Sequence, residues 1–284
     1  MAAAADSKSA VREYVRVRVP PLAPSLSTKA TRTGEVSEWS MVQPWKGCVG
    51  ASPPGVRTPP SPPIFMRVNN RILPSGRIGL AVSGGSDSVA LAFLLTRGGK
   101  KKNAAKRFVI LHVDHGLRNE SKAEYRFVRA LAKRLGVPFK GTHEKVVRRR
   151  GESIEMAARR VRLNFFAQCM KTLKLDAIAT GHHMDDVAET FLMKIRRISL
   201  CGIREKSEVG SIRFVRPLLG CRDHELKAYL KKYNETWCED ASNDDTSIER
   251  NRVRHQVIPY LEKTLDPHLV EHLYAINQRY AATH

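Results

Sequence analysis

The sequence predicts an α/β protein: a doubly wound, mostly parallel β-sheet covered by helices, with a small C-terminal helical extension and a disordered N-terminal tail. Two observations carry this expectation. Between residues 77 and 197, short apolar runs at 78–82, 107–113, 137–140 and 176–180 alternate with helix-length stretches whose apolar residues recur every three or four positions, the pattern of parallel strands joined by right-handed crossovers. Before residue 66 the composition differs in kind: ten of the chain's 15 prolines fall there and hydrophobic periodicity is weak, so no packed core is expected. The 284 residues therefore divide into a tail over 1–65, a sheet-bearing domain over 66–217 and a helical extension over 218–284.

The tail opens with an Ala- and Arg-bearing stretch that fits a mitochondrial presequence, against which Asp6 and Glu13 count. The expected compartment is thus mitochondrial or cytoplasmic. Eight basic against four acidic residues give the tail +4 of the chain's net +21, so the basic excess belongs mainly to the folded part and favours an anionic partner such as nucleic acid. Cys48, Cys169, Cys201, Cys221 and Cys238 are odd in number and form no C-x-x-C pair, which argues against a disulfide framework or a zinc ribbon and for a reducing compartment. No apolar run reaches the ~18 residues of a membrane span. A soluble protein with no membrane partner is expected, and oligomeric state is not legible.

Taken in order, residues 78–95 read as a buried strand, a polar turn at Ser83-Gly84-Gly85-Ser86 and an apolar helix beginning near Asp87. Unpaired N–H groups at a helix start, beside the positive dipole end, form an anion pocket. Gly84 and Gly85 allow positive φ and close approach of a phosphate, and the hydroxyls of Ser83 and Ser88 can add donors. The turn has neither the Lys-Ser/Thr of a Walker A loop nor the spacing of a dinucleotide fingerprint. A basic loop over 100–107 leads into the second strand, which ends in His112-Val113-Asp114-His115-Gly116. Ser121 and Glu124 form a capping box for a helix over 122–135 with Phe127, Leu131 and Leu135 on one face, ended by Gly136. After the third strand come Arg148-Arg149-Arg150, then a helix capped by Ser153 with Ile154, Ala158, Val161, Phe165 and Cys169 at helical spacing. The fourth strand runs into Gly181-His182-His183-Met184-Asp185-Asp186 and a further helix. Beyond Arg216-Pro217 strand signals stop, and 222–233 and 248–265 read as helical. Because such sheets bind ligands at the carboxyl ends of their strands, the clusters at 83–88, 112–116 and 180–186 should converge on one crevice.

Ser83-Gly84-Gly85-Ser86-Asp87-Ser88 resembles the SGGxDS pyrophosphate loop of the N-type ATP pyrophosphatase (PP-loop) family, which has a Rossmann-like fold and splits ATP into AMP and pyrophosphate. Four more blocks, His112 to Arg118, Ala157 to Arg162, Gly181 to Thr190, and Ser242-Asn243 with Arg250 to Arg254, resemble in order the tRNA(Ile)-lysidine synthetase family. That resemblance implies an ATP-dependent ligase: the wobble cytidine of a tRNA(Ile) is adenylated and the ε-amine of free lysine displaces AMP. It implies ATP held by Ser83, Gly84, Gly85, Ser86, Asp87, Ser88, His112, Asp114, Gly181 and His182, with Asp87 carrying Mg²⁺ through the ATP. It implies that Arg162 steadies the reacting phosphate and that Asp186 and Glu189, three apart on one helix face, recognise lysine. Asp87, Arg162, Asp186 and Glu189 are then the catalytic set, and Arg250 and Arg254 reach a phosphate of ATP or tRNA.

Other readings stand beside these. Asp186 and Glu189 can instead form a solvated patch or bridge to Lys194 or Arg196. His112, Asp114 and His115, or His182, His183, Asp185 and Asp186, have the residue types of a metal phosphohydrolase. Asn243 fits a cap. A PP-loop tRNA thiolation enzyme, or an RNA-binding module with a relic nucleotide pocket, is the alternative function. Two departures from the family pattern matter: the segment 198–203 lacks the expected Gly-rich character, and the chain is expected to lack the C-terminal tRNA-binding domains of long members, leaving basic loops at 100–107 and 148–150 to grip RNA phosphates.

Overall fold

Central strands buried on both faces organise the molecule. A computed structural model describes residues 15–16, 66–97, 104–116, 121–195, 202–239 and 244–283; most of the expected tail, the loop at 98–103 and Asn243 lie outside them. Strands β1 (Val15–Arg16) and β2 (Arg67–Val68) pair antiparallel. The main sheet contains β3 (Ile78–Ala81), β4 (Phe108–Asp114), β5 (Phe139–His143), β6 (Ala177–Ala179), β7 (Lys206–Val209) and β8 (Ile212–Val215), in the order β5-β4-β3-β6-β8-β7. All neighbours are parallel except β7, which runs antiparallel along β8. Taken by the parallel strands alone, the order is 3-2-1-4-5, the doubly wound arrangement whose direction reverses between β3 and β6.

Helices α1 (Ser86–Arg97), α2 (Ala104–Arg107), α3 (Ser121–Leu135), α4 (Ile154–Thr172), α5 (Met184–Lys194), α6 (Asp223–Lys232), α7 (Glu249–Arg252), α8 (Ile258–Thr264) and α9 (Leu269–Thr283) cover the sheet and its carboxyl edge. On β4, Phe108 and Ile110 enter one apolar cluster and Val109 and Leu111 the other, as the two-residue period of a strand requires. The first cluster holds Val89 and Phe93 of α1, Val128 and Leu131 of α3, and Leu226 and Tyr229 of α6. The second packs Phe165, Phe166 and Cys169 of α4 against Ile178 and Phe214. Each such large side chain contributes about 1.5–3 kcal/mol through burial. Thus α6, although past residue 217, belongs to the core of the sheet, whereas α5, α8 and α9 share a third cluster around Val187, Val253 and Val270.

Four local expectations shift. The β7–β8 hairpin occupies a stretch where no strand was expected from the sequence; its two-residue turn, Gly210-Ser211 with Gly210 at φ +56, was the missed signal, and charges on β7 suit an edge strand. The third strand lies at Phe139–His143 rather than 137–140, because Val137 still closes the end of α3 through its N–H to Ala132 O (3.0 Å) after Gly136 takes φ +66. On α4, Ser153 caps as expected, accepting from Met156 N–H at 3.2 Å, but the buried stripe is Ala157, Phe165, Phe166 and Cys169 while Ile154 is exposed. The helix expected over 248–265 is α7 and α8 joined by a π-helical turn, Val253–Val257. Pro259 lacks an N–H and crowds the preceding turn, and a widened turn just before it absorbs both effects.

Candidate active site

The loop after β3 is shaped by its own hydroxyls. Ser88 Oγ accepts from the N–H groups of Ser83 and Gly84, both at 3.2 Å, and donates to Gly85 O at 2.9 Å. Its single proton is therefore committed within the loop, so Ser88 shapes the turn where the sequence offered it as an extra donor. Gly84 takes φ +114, a conformation side chains resist, and its carbonyl accepts from Cys238 N–H at 2.9 Å. Gly85 does not take positive φ; a Cβ there would meet only Ser83 Oγ at 3.8 Å, so its missing side chain leaves room at the loop's mouth. Behind the loop begins the 12-residue helix α1, whose N-terminal dipole end favours an anion.

The three strand-end clusters do meet. They line one crevice of about 1370 Å³ that includes Ser83, Gly85, Ser86, Asp87, His112, Asp114, Gly181, His182, Asp186, Arg162, Arg250 and Arg254, larger than the ~300–1,000 Å³ usual for one small ligand. Gly181 is what lets the β3 and β6 loops touch. A Cβ on it would lie 2.9 Å from the backbone carbonyl of Asp87, so its part is close backbone packing. His112 Nδ1 pairs with Val82 O at 2.8 Å, and burial lowers its pKa. Asp114 is tied to Gly116 N–H (2.8 Å) and His143 Nδ1 (2.7 Å); burial opposes its charge, but these bonds keep its pKa below the usual range.

At the centre is His183, which sequence reasoning named only as a metal alternative. It is 1 % exposed, and its Nε2 lies 3.5 Å from both Asp87 Oδ2 and Asp186 Oδ2, its Nδ1 3.3 Å from Asp185 Oδ2. Burial alone would make this imidazole neutral, but the three carboxylates raise its pKa well above the ordinary value, and their own values are lowered in turn. His183 is thus an imidazolium joining the phosphate loop to α5. Its neighbour His182 behaves oppositely: burial, with Arg216 and Arg250 nearby, pushes it down to about 4, and its Nδ1 pairs with Thr180 Oγ1 at 2.8 Å.

Asp186 and Glu189, which the family resemblance gave to lysine, are already occupied by cations of the chain itself. Glu189 is fully buried and receives Arg250 Nε at 2.7 Å and Arg254 Nε at 2.5 Å. Asp186 receives Arg250 Nη2 at 2.7 Å and Arg254 Nη2 at 3.5 Å on Oδ1, and His183 N–H at 3.0 Å on Oδ2. The bridging arginines come from α7 and the π turn, and their guanidiniums meet carboxylates where a phosphate was expected; Arg196, which one reading named, lies outside the described residues. Glu189 and Asp186 hold the pKa of Arg254 up although burial opposes it. Arg222, also missed, joins four elements through Asp185 (3.0 Å), Glu262 (3.1 Å) and Glu271 (2.7 Å). Only contacts between residues far apart in the chain define these roles, so no local pattern announced them.

Among the described residues one group has metal-ligand spacing, Asp87, His183 and Asp223. Two carboxylate oxygens there fit Mg²⁺, which prefers oxygen; a protonated His183 does not. The clusters at His112-Asp114-His115 and His182-His183-Asp185-Asp186 do not gather as metal-ligand sets, since Asp114 is bound to His143 and Asp185 to Arg222.

A Gly-Ser anion loop at the reversal point of a 3-2-1-4-5 sheet defines a nucleotide-binding α/β protein. Residues 64–261 match the PP-loop domain, and the chain belongs to that ATP-using family. Curated relatives named tRNA(Ile)-lysidine synthase include one from Thermus thermophilus, 42 % identical over 206 residues covering 71 % of this chain and 39 % of the relative. Another, from Solibacter usitatus, is 40 % identical over 202 residues, covering 69 % and 43 %; one from Novosphingobium aromaticivorans is 38 % identical over 188 residues, covering 64 % and 56 %. The chain thus spans about two-fifths to just over half the length of these relatives. Among solved structures, the U34-tRNA thiolase NcsA from Methanococcus maripaludis, described with its [4Fe-4S] cluster, is similar in fold, with a TM-score of 0.59 at 15 % identity over 73 % of this chain and 72 % of that one. No helix among the described residues is long and apolar enough to cross a membrane.

Proposed function

We propose that this protein is an ATP-dependent tRNA-modifying ligase that adenylates a cytidine of tRNA(Ile) and joins free lysine to it, releasing AMP and pyrophosphate. The observation that carries the reading is the contact of Asp87, His183 and Asp186, which brings the phosphate loop and the acidic helix to one point of one crevice. Similarity to relatives named tRNA(Ile)-lysidine synthase supports it.

In this reading the Ser83 to Ser86 turn and the start of α1 hold the pyrophosphate end of ATP. Stabilising charge on that leaving group favours attack at the α-phosphorus by the cytosine carbonyl oxygen. Asp87 and Asp223 would hold Mg²⁺, which supplies charge neutralisation on the phosphates. Arg162, on the crevice wall, steadies the adenylate phosphate. Free lysine arrives as an ammonium with a reference pKa near ~10.4. It is met by Asp186, exchanging with Arg250, so that one cation replaces another and the buried carboxylates stay compensated; Glu189 retains Arg254. Surrounding cations then favour loss of the ammonium proton to water, after which the amine attacks the activated cytosine carbon and the C–O bond to AMP breaks.

The test is ATP–pyrophosphate exchange with and without tRNA(Ile) transcript. Exchange that needs the transcript supports adenylation of RNA; exchange driven by lysine alone, or ADP as product, contradicts it. Thiolation is less favoured because Cys169 and Cys221 are buried thiols pushed up to about 11 and 12, leaving only Cys238 of the described cysteines on the crevice wall.

A further inference from the structure

The crevice has two electrostatic halves. Around α5, among the described residues, Arg222, Arg250 and Arg254 are compensated, each by a carboxylate partner at 2.7 Å or closer. On the side built from α4 and the end of β8 stand Arg159, Arg162 and Arg216, which line the same crevice and make no ion pair with a carboxylate among the described residues. Arg216 follows directly on β8, at the carboxyl end of the last parallel strand. Its Nη1 is fixed to Arg204 O at 2.6 Å, while its Nε is buried without a hydrogen-bond partner. Arg77 and Arg107 share this state away from the crevice, but Arg216 alone of the three lines it, where its unpaired donor can serve a ligand with paired oxygens.

We propose that Arg216, with Arg159 and Arg162, forms a second phosphate-binding subsite in the crevice, separate from the Ser83 loop and rich enough in positive charge to take a phosphate ester. The inference rests on the ligase reading and deepens it. Arg159 acts on both its neighbours: burial first and its charge second lower the pKa of Arg162 and of Arg216. An anion between them relieves that repulsion. Phosphate fits better than a lone carboxylate because three forks can share its several oxygens. Two sources supply it, the α-phosphate of the nucleotide and the phosphodiester backbone of the RNA.

The experiment uses the full chain and the variants Arg216→Gln, Arg216→Lys and Arg159→Gln, the last exposed and remote from the core. Two probes are titrated, AMP alone and a tRNA(Ile) transcript across 50–300 mM KCl, with thermal melts to confirm folding. If the subsite takes the nucleotide phosphate, Arg216→Gln weakens AMP at least tenfold and leaves the transcript unchanged. If it takes RNA, the transcript weakens at least tenfold and its salt slope falls by about one per arginine removed. Arg216→Lys should recover part of the loss in either case. Wild-type binding of both probes by folded Arg216→Gln and Arg159→Gln overturns the subsite. Failure of the wild-type chain to form AMP from ATP and transcript would instead overturn the ligase reading, while the binding comparison still decides the subsite.

Discussion

Glu189→Gln removes one negative charge from the most enclosed ionisable position of the site and keeps its shape. Glu189 has no exposed surface and accepts from Arg250 Nε at 2.7 Å and Arg254 Nε at 2.5 Å. Truncating one partner of a fully buried pair costs about 3–5 kcal/mol. Here the arginine side chains are 44 % and 34 % exposed, so solvent offsets part of the loss, and Asp186 still accepts from both. The expected cost is about 2–3 kcal/mol at pH 7. Arg250→Ala should cost less, about 1–2 kcal/mol, since Arg254 continues to compensate Glu189. The assay is urea denaturation followed by two probes, with the slope unchanged so that the midpoint alone reports stability, and the Glu189→Gln/Arg250→Ala double variant completing the cycle. A Glu189→Gln variant within about 0.5 kcal/mol of wild type, against this expected cost, would refute the view that α5, α7 and the π turn are joined through a buried ionic cluster.

Other outcomes follow from the same geometry. Gly181→Ala should lower stability by about 1–3 kcal/mol, because its methyl meets the Asp87 carbonyl, whereas Gly85→Ala should melt near wild type yet bind ATP poorly; equal melting of the two variants would remove the packing argument. His182 is neutral in the fold down to about pH 4 but takes a proton near pH 6.5 when unfolded. Its contribution is therefore fully present above about 6.5 and lost as pH falls towards 4, by roughly 3 kcal/mol at most. His182→Asn should flatten stability across that window, and an unchanged pH profile would count against the assignment. Asp87→Ala should abolish AMP formation while transcript binding at low salt persists; simultaneous loss of both would mean that the loop and the RNA surface are not separable.

The fold and the crevice were legible because they rest on local signals. Strand-turn-helix units and a Gly84 turn declare themselves within a few residues, and parallel topology then brings their ends together. Roles set by contacts distant in sequence were not legible. Arg250 and Arg254 lie more than 60 residues from the carboxylates they hold, and helical spacing showed that Asp186 and Glu189 share a face without showing what already covers it. His183 looked like a metal ligand until three carboxylates around it fixed its charge. Arg216 read only as the end of the sheet signals, since neither the β7–β8 hairpin nor the absence of a counter-carboxylate nearby is written in its own neighbours. Ser88 matched its motif position, but its hydroxyl turned out to close the loop.

The most direct measurement is mass spectrometry of nucleosides digested from tRNA(Ile) transcript after incubation with the protein, ATP and isotopically labelled lysine. The account predicts a cytidine carrying the labelled amino acid, formed together with AMP. Consumption of ATP with the label absent from every nucleoside would contradict it.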